Sequence, residues 1–111
     1  MNDLAKKWVA ALRGGSYKQA RSALRKDDAF CCLGVLCDLK NKDGWNKHHT
    51  DTFLMRHVDA VDGGVEYPGF QILDEVGLDE DQVRVLSRRN DSGATFLEIA
   101  EDIEGMLAEA K

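Results

Sequence analysis

The chain contains no apolar run near the roughly 20 residues that a membrane span requires, so no spanning helix is expected. It has three cysteines, an odd number, all within Cys31, Cys32 and Cys37. That grouping fits free thiols in a reducing compartment and does not fit a disulfide framework. Proline occurs once, at Pro68, where it suits the first turn of a helix. Internal repeats and low-complexity segments are absent. The N-terminal stretch Met-Asn-Asp-Leu-Ala-Lys-Lys-Trp carries no signal-peptide core, and a cytoplasmic location is expected.

What is present fits an ordinary folded chain. Its 111 residues, 43% hydrophobic and 32% charged, suit one domain, 1–111, with one modest core. The net charge of −5 is unevenly spread. Residues 1–26 hold seven Lys and Arg against a single acid, Asp3, for a net of +6, leaving −11 for the remainder. The asymmetry points either to an anionic partner at the basic end or to the basic part docking on the acidic part.

The one long apolar stretch is Phe30-Cys-Cys-Leu-Gly-Val-Leu-Cys-Asp-Leu39. On a helical wheel Phe30, Leu33 and Cys37 form one stripe, and Cys32, Leu36 and Leu39 form an adjoining one. A helix apolar almost all round belongs in a core. The reading is a hub helix over about 29–39 on which the other elements pack.

Around that hub the signals are mostly helical. Asn2 or Asp3 caps a first helix whose stripe is Leu4, Trp8 and Leu12, ended by Gly14-Gly15. Residues 16–26 fit neither period cleanly. They read as extended, one arm of a hairpin over about 16–31 with Lys26-Asp27-Asp28 as its turn. Leu54, Val58 and Val61 suggest a short helix capped by Thr50 or Asp51, and Val65-Glu66-Tyr67 suggests a brief extended piece. Phe70, Leu73 and Val76 mark another helix stopped by Gly77. Asp79 to Gln82 resembles a capping box opening a helix to about Arg88, after which Asn90-Asp91-Ser92-Gly93 reads as a turn. Thr95 and Glu98 form a second box. Phe96, Ile99, Ala100, Ile103, Leu107 and Ala110 then make a stripe that faces either the domain's own core or a second copy. The fold class expected is α+β: a single compact, mostly helical domain with a short β-hairpin in its N-terminal third.

Four chemistries compete for these residues. Zinc binding would combine Cys31, Cys32 and Cys37 with His48, His49 or His57, but adjacent cysteines diverge by about 100° on a helix and miss the usual ligand spacing. Core cysteines are the better reading, with no metal and no cofactor expected. Thiol catalysis needs an exposed thiol of lowered pKa, which a buried hub helix does not offer. Acidic mimicry of nucleic acid would use Asp74, Glu75, Asp79, Glu80, Asp81 and the Glu-rich last helix, which read more simply as solvated surface. An anion site would use Tyr17, Lys18, Gln19, Arg21 and Arg25, which bring cations, an amide and an aromatic face. Free amides at the start of the hub helix would reinforce it.

Several segments together resemble a family of small proteins encoded by bacteriophages and prophages. They are Trp8-Val-Ala-Ala-Leu-Arg13, Tyr17-Lys-Gln19, Ala23-Leu-Arg25, the run Phe30–Leu39, Asn90-Asp91 and Phe96-x-x-Ile99-Ala100. The match is tightest from Trp8 to Leu39. The resemblance implies action in the bacterial cytoplasm, in some cases against host immune signalling, and supplies no reaction or catalytic residue. The function expected is non-catalytic capture of a phosphate-bearing small molecule or nucleotide. The alternatives are inhibition of a host protein through the acidic helices, a cysteine-dependent enzyme, or a nucleic-acid-binding regulator. The net negative charge disfavours the last.

Overall fold

The computed structural model describes residues 2–21, 24–40, 45–47, 53–55 and 70–108. In chain order the elements are α1 (Asp3–Gly14), β1 (Lys18–Gln19), β2 (Arg25–Lys26), β3 (Ala29–Phe30), α2 (Cys32–Lys40), β4 (Trp45–Lys47), β5 (Phe53–Met55), α3 (Phe70–Val76), α4 (Glu80–Asp91) and α5 (Phe96–Ala108). The architecture is α+β, with helices packed around a small three-stranded sheet.

Helix α2 occupies the centre, in contact with α1, α3, α4 and β3. Every residue from Cys32 to Asp38 is buried. Burial on all sides over these two turns is what an all-round apolar pattern requires, and only the last residues, Leu39 and Lys40, approach the surface. Trp8, fully buried on α1, donates its indole N–H to the Cys32 carbonyl at 2.8 Å. That bond satisfies the polar tip of an otherwise apolar anchor.

Local chemistry explains the helix ends. The Asn2 side chain accepts from the Ala5 amide at 2.9 Å, and Gly15 closes α1 at φ 76°, a conformation with little steric cost only for glycine. The Asp79 carboxylate accepts from the Gln82 amide while the Gln82 side chain accepts from the Asp79 amide, a complete capping box. Thr95 and Glu98 do the same for α5, and the Thr95 N–H holds the Glu98 carboxyl below the usual carboxylate range. The α5 stripe of Phe96, Ile99, Ala100, Ile103 and Leu107 is buried in the chain's own core against α1 and α4.

The hairpin is present and belongs to a larger unit. β2 pairs antiparallel with β3 across a two-residue turn in which Asp27 has φ 51°. β1 pairs parallel with β3 on its other side, giving the order β1-β3-β2. The hub helix therefore starts later than its periodicity suggests. Ala29 and Phe30 are strand, because hydrogen bonds reach this segment from both sides. Ala20 N–H donates to the Phe30 carbonyl at 2.8 Å, and Cys31 N–H donates to the Leu24 carbonyl at 3.1 Å. A short apolar run does not by itself distinguish buried strand from buried helix.

Two other segments differ from expectation. Leu54 lies in β5, paired antiparallel with β4, so no helix runs through it from Thr50 or Asp51. Val58, Val61 and the piece 65–67 lie outside the described residues, as does Pro68. Helix α4 continues past Arg88 to Asp91, and only Ser92 and Gly93 turn. Asn90 is buried at its end and bonded across the core, which holds the last turn in helical form. Among the described residues, no helix is long and apolar enough to cross a membrane.

Candidate functional site

A cleft of about 590 Å³ opens where the sheet meets α2. Ser16 and Tyr17 line it just before β1, Lys18 from β1, Arg25 from β2, Asp28 from the hairpin turn, Phe30 from β3 and Asp38 from α2. The register places Gln19, Phe30 and Arg25 in one row across the sheet, and Lys18, Ala29 and Lys26 in the next.

Side-chain contacts join the cleft walls to one another. Tyr17 meets Phe30 edge to face, with ring centroids 5.2 Å apart at 89°. The Tyr17 hydroxyl donates to Asp38 Oδ2 at 2.7 Å, linking the start of the sheet to the last turns of α2. Partial burial, with the neighbouring carboxylate, raises the Tyr17 pKa to about 12. The Arg25 guanidinium carbon lies 5.3 Å from the Phe30 ring centroid, over its face, and Arg25 Nε donates to the Asp27 carbonyl at 2.7 Å. A cation over an aromatic face is attracted by the negative face of the ring.

Of the five residues expected to bind an anion, three line this cleft: Tyr17, Lys18 and Arg25. Gln19 is turned inward. Its Nε2 donates to Asn90 Oδ1 and to the Ala94 carbonyl, each at 2.8 Å. Arg21 is exposed and does not line the cleft. Sequence reasoning missed Ser16, Asp28, Phe30 and Asp38 as cleft residues. Asp38 carried a usable signal, as the one charged residue inside the apolar run.

The hub helix does not present an open N-terminus to an anion. Its Cys32 N–H donates to Asn90 Oδ1 at 3.2 Å, and its Gly34 N–H meets the Cys31 sulfur at 3.3 Å. The Asn90 amide group also donates to the Ala20 carbonyl at 2.7 Å. One fully buried asparagine thus joins α4, the end of β1 and the start of α2.

The cysteines sit in the core. All three are free and buried, with Cys32 Sγ 3.7 Å from the Leu86 carbonyl. Burial pushes the Cys31 thiol up to about 11 and raises Cys32 and Cys37 well above the ordinary thiol value. A thiol so protonated is a poor nucleophile and a poor metal ligand at neutral pH. His48, His49 and His57 lie outside the described residues. Among the described residues, no three His, Cys, Asp or Glu side chains gather in a metal-binding group.

The basic part, residues 1–26, meets the acidic remainder where Arg13 of α1 pairs with Glu104 of α5. Within the remainder, Lys40 pairs with Glu75 at 2.6 Å and Arg89 pairs with Asp102 at 2.8 Å. These pairs are exposed and contribute little stability individually. They do engage Glu75 and part of the Glu-rich last helix, which nucleic-acid mimicry would leave for a host protein.

The shifted thiols and Tyr17 predict alkaline sensitivity. Each holds its proton to a higher pH in the folded chain than in the unfolded chain, where thiols titrate near 9.0 and tyrosine near 10.0. The folded state binds more protons over that window, so stability is full below about pH 9 and falls as pH rises through it. The urea midpoint is expected to hold from about pH 7 to 8 and decline above about 9. Tyr17→Phe should flatten the portion of that decline between pH 10 and 12, and an unchanged profile would remove Tyr17 as a contributor.

The fold and cleft define a small α+β domain with a mixed-charge, aromatic-walled cavity at its sheet–helix junction. A family model described as a domain of unknown function (DUF8296) matches residues 1–107, and the chain belongs to that family. No curated protein and no solved structure matches it.

Proposed function

We propose that the chain is a bacteriophage-encoded binding protein of the bacterial cytoplasm that captures a phosphate-bearing small molecule or nucleotide signal without catalysis, as a counter-defence. The observation that carries this reading is the placement of Lys18 and Arg25 beside Tyr17 and Phe30 in one cleft. Cations are the usual partners of phosphate, and an aromatic-lined cavity of several hundred Å³ is the usual size for a small ligand. The segments that resemble phage proteins include Tyr17-Lys-Gln19 and Phe30–Leu39, which supply much of the cleft wall. The buried, protonated thiols favour binding over cysteine chemistry.

Native mass spectrometry of the protein purified from infected or defence-active cells tests the capture directly, since it reads a nucleotide-sized adduct and its stoichiometry. Calorimetry with the released compound then tests the site. Lys18→Ala with Arg25→Ala is expected to weaken binding by about a hundredfold, in line with the loss of two charge-assisted contacts. Arg21→Ala, outside the cleft, is expected to leave it unchanged. Undiminished binding by the double variant would place the ligand elsewhere.

A further inference from the structure

Resting on that reading, we propose that the Tyr17–Asp38 cleft takes a phosphate ester bearing neighbouring hydroxyl groups, with Lys18 on the phosphate and Asp28 on the hydroxyls. A sugar phosphate and the ribose phosphate part of a nucleotide share this chemistry.

The assignment starts from two side chains. Lys18 and Asp28 both line the cleft and are both exposed. Among the described residues, neither has a hydrogen-bond or ion-pair partner. The other two charged groups of the cleft are engaged. Asp38 is buried and receives the Tyr17 hydroxyl, and Arg25 Nε donates to the Asp27 carbonyl. Lys18 lies opposite Ala29 in the parallel register, so Asp28 is one residue along the chain from its direct neighbour. A cation and a carboxylate thus stand close together on one wall and are not spent on each other.

The carboxylate sets what the ligand must carry. Asp28 repels a bare phosphate, so a cleft for inorganic phosphate gains nothing from it. An ionised carboxylate only accepts hydrogen bonds, and it has two oxygens to accept with. The complementary groups on the ligand are therefore donors, and two neighbouring hydroxyls match the two oxygens. Dinucleotide-binding folds use an acidic residue on a ribose hydroxyl in the same way. Lys18 meets the opposite need, because a compact ammonium on a flexible stem suits phosphate.

The size of the cleft agrees. A volume of about 590 Å³ lies in the range of small organic ligands, and phosphate alone would leave most of it to water.

Calorimetry on the intact chain tests the proposal. The probes are ribose 5-phosphate, 2-deoxyribose 5-phosphate, adenosine monophosphate, its 2′-deoxy analogue, phosphoethanolamine and inorganic phosphate. Each ribose compound is expected to bind about tenfold more tightly than its deoxy counterpart, which lacks the neighbouring pair. Asp28→Ala is expected to erase that difference and to leave the deoxy compounds within about twofold of their original affinity. Asp28→Asn, which keeps one oxygen acceptor, is expected to retain part of the difference. Asp28 lies on an exposed turn, so unchanged thermal midpoints are expected in both variants and show that the effect is local. Lys18→Ala is expected to weaken every phosphate ester alike. Tighter binding of adenosine monophosphate than of ribose 5-phosphate assigns the ligand to nucleotides, and equal binding assigns it to sugar phosphates. Equal affinity for ribose and deoxyribose compounds would overturn the hydroxyl proposal and leave phosphate capture standing. Tighter binding of phosphoethanolamine than of ribose 5-phosphate would overturn it in favour of an ammonium on Asp28. Failure of every probe to bind would overturn both readings.

Discussion

Gly34→Ala is expected to abolish the native fold. Gly34 sits in the first turns of α2, where the backbone of Leu24 crosses directly against it. A methyl group at this position would fall 1.7 Å from the Leu24 carbonyl oxygen and 2.7 Å from its carbonyl carbon. Both are backbone atoms, so no side-chain rotation relieves the clash. The same carbonyl accepts the Cys31 N–H at 3.1 Å, and the Leu24 side chain is itself fully buried. Moving Leu24 away therefore breaks a hydrogen bond and opens the core together. The expected loss is about 4 kcal/mol or more, at the extreme of single substitutions. The thermal midpoint should fall by on the order of 15 °C or more if any folded protein is recovered. Gly105→Ala supplies the opposite sign. Gly105 is exposed on α5, and a methyl group there meets nothing within 4 Å. Helix propensity then raises stability by about 0.5–1 kcal/mol. Thermal unfolding of the pair tests the argument, and a benign Gly34→Ala would refute the close approach.

The second large effect is expected at Asn90. Its side chain accepts from Gln19 Nε2 and the Cys32 amide and donates to the Ala20 carbonyl, all while fully buried. Asn90→Ala removes all three contacts. It leaves a helix-end N–H and a carbonyl without that partner in the interior, and it opens a gap between α4 and the sheet. Unsatisfied buried polar groups cost about 1–3 kcal/mol each, so the total is about 3–5 kcal/mol. Asn90→Asp distinguishes hydrogen bonding from shape. It keeps the volume and the acceptor toward Cys32, but sets a carboxylate oxygen against the Ala20 carbonyl oxygen and buries a charge. It should destabilise as strongly as the alanine, measured by urea unfolding at neutral pH. Lowering the pH should recover part of that loss, because the introduced carboxyl group regains a donor once it is protonated. A near-neutral Asn90→Asp would mean that packing alone explains the site.

The helices were legible because their determinants lie within a turn of each other. The Asn2 cap on Ala5, the Asp79–Gln82 box and the Thr95–Glu98 box all join residues three apart. The stripe from Phe96 to Leu107 marks its own buried face. The hub was legible for a different reason, since apolarity around a whole helix leaves burial as the only stable outcome. The cleft was half legible. Tyr17, Lys18 and Arg25 announced themselves by type, whereas Gln19 looked equally suited by type and turned the other way. Nothing near Gln19 in the chain marks this, because its partner Ala94 is 75 residues distant.

The amino-acid order alone thus determined where α1, α4 and α5 begin, that the segment around residues 30–39 lies at the centre, and that the three cysteines belong to the core. Those outcomes follow from side-chain periodicity, polarity and capping chemistry acting over a few residues. Only the tertiary structure decided that Ala29 and Phe30 are strand, that Asn90 ends a helix and closes the start of α2, and that Asp38 faces a cleft beside Arg25. Each of these turns on a hydrogen bond or a contact between distant segments, such as Ala20 with Phe30, Asn90 with Cys32 and Tyr17 with Asp38. Where local preference is balanced between strand and helix, or between turn and helix end, the long-range partner that satisfies a buried polar group decides the outcome.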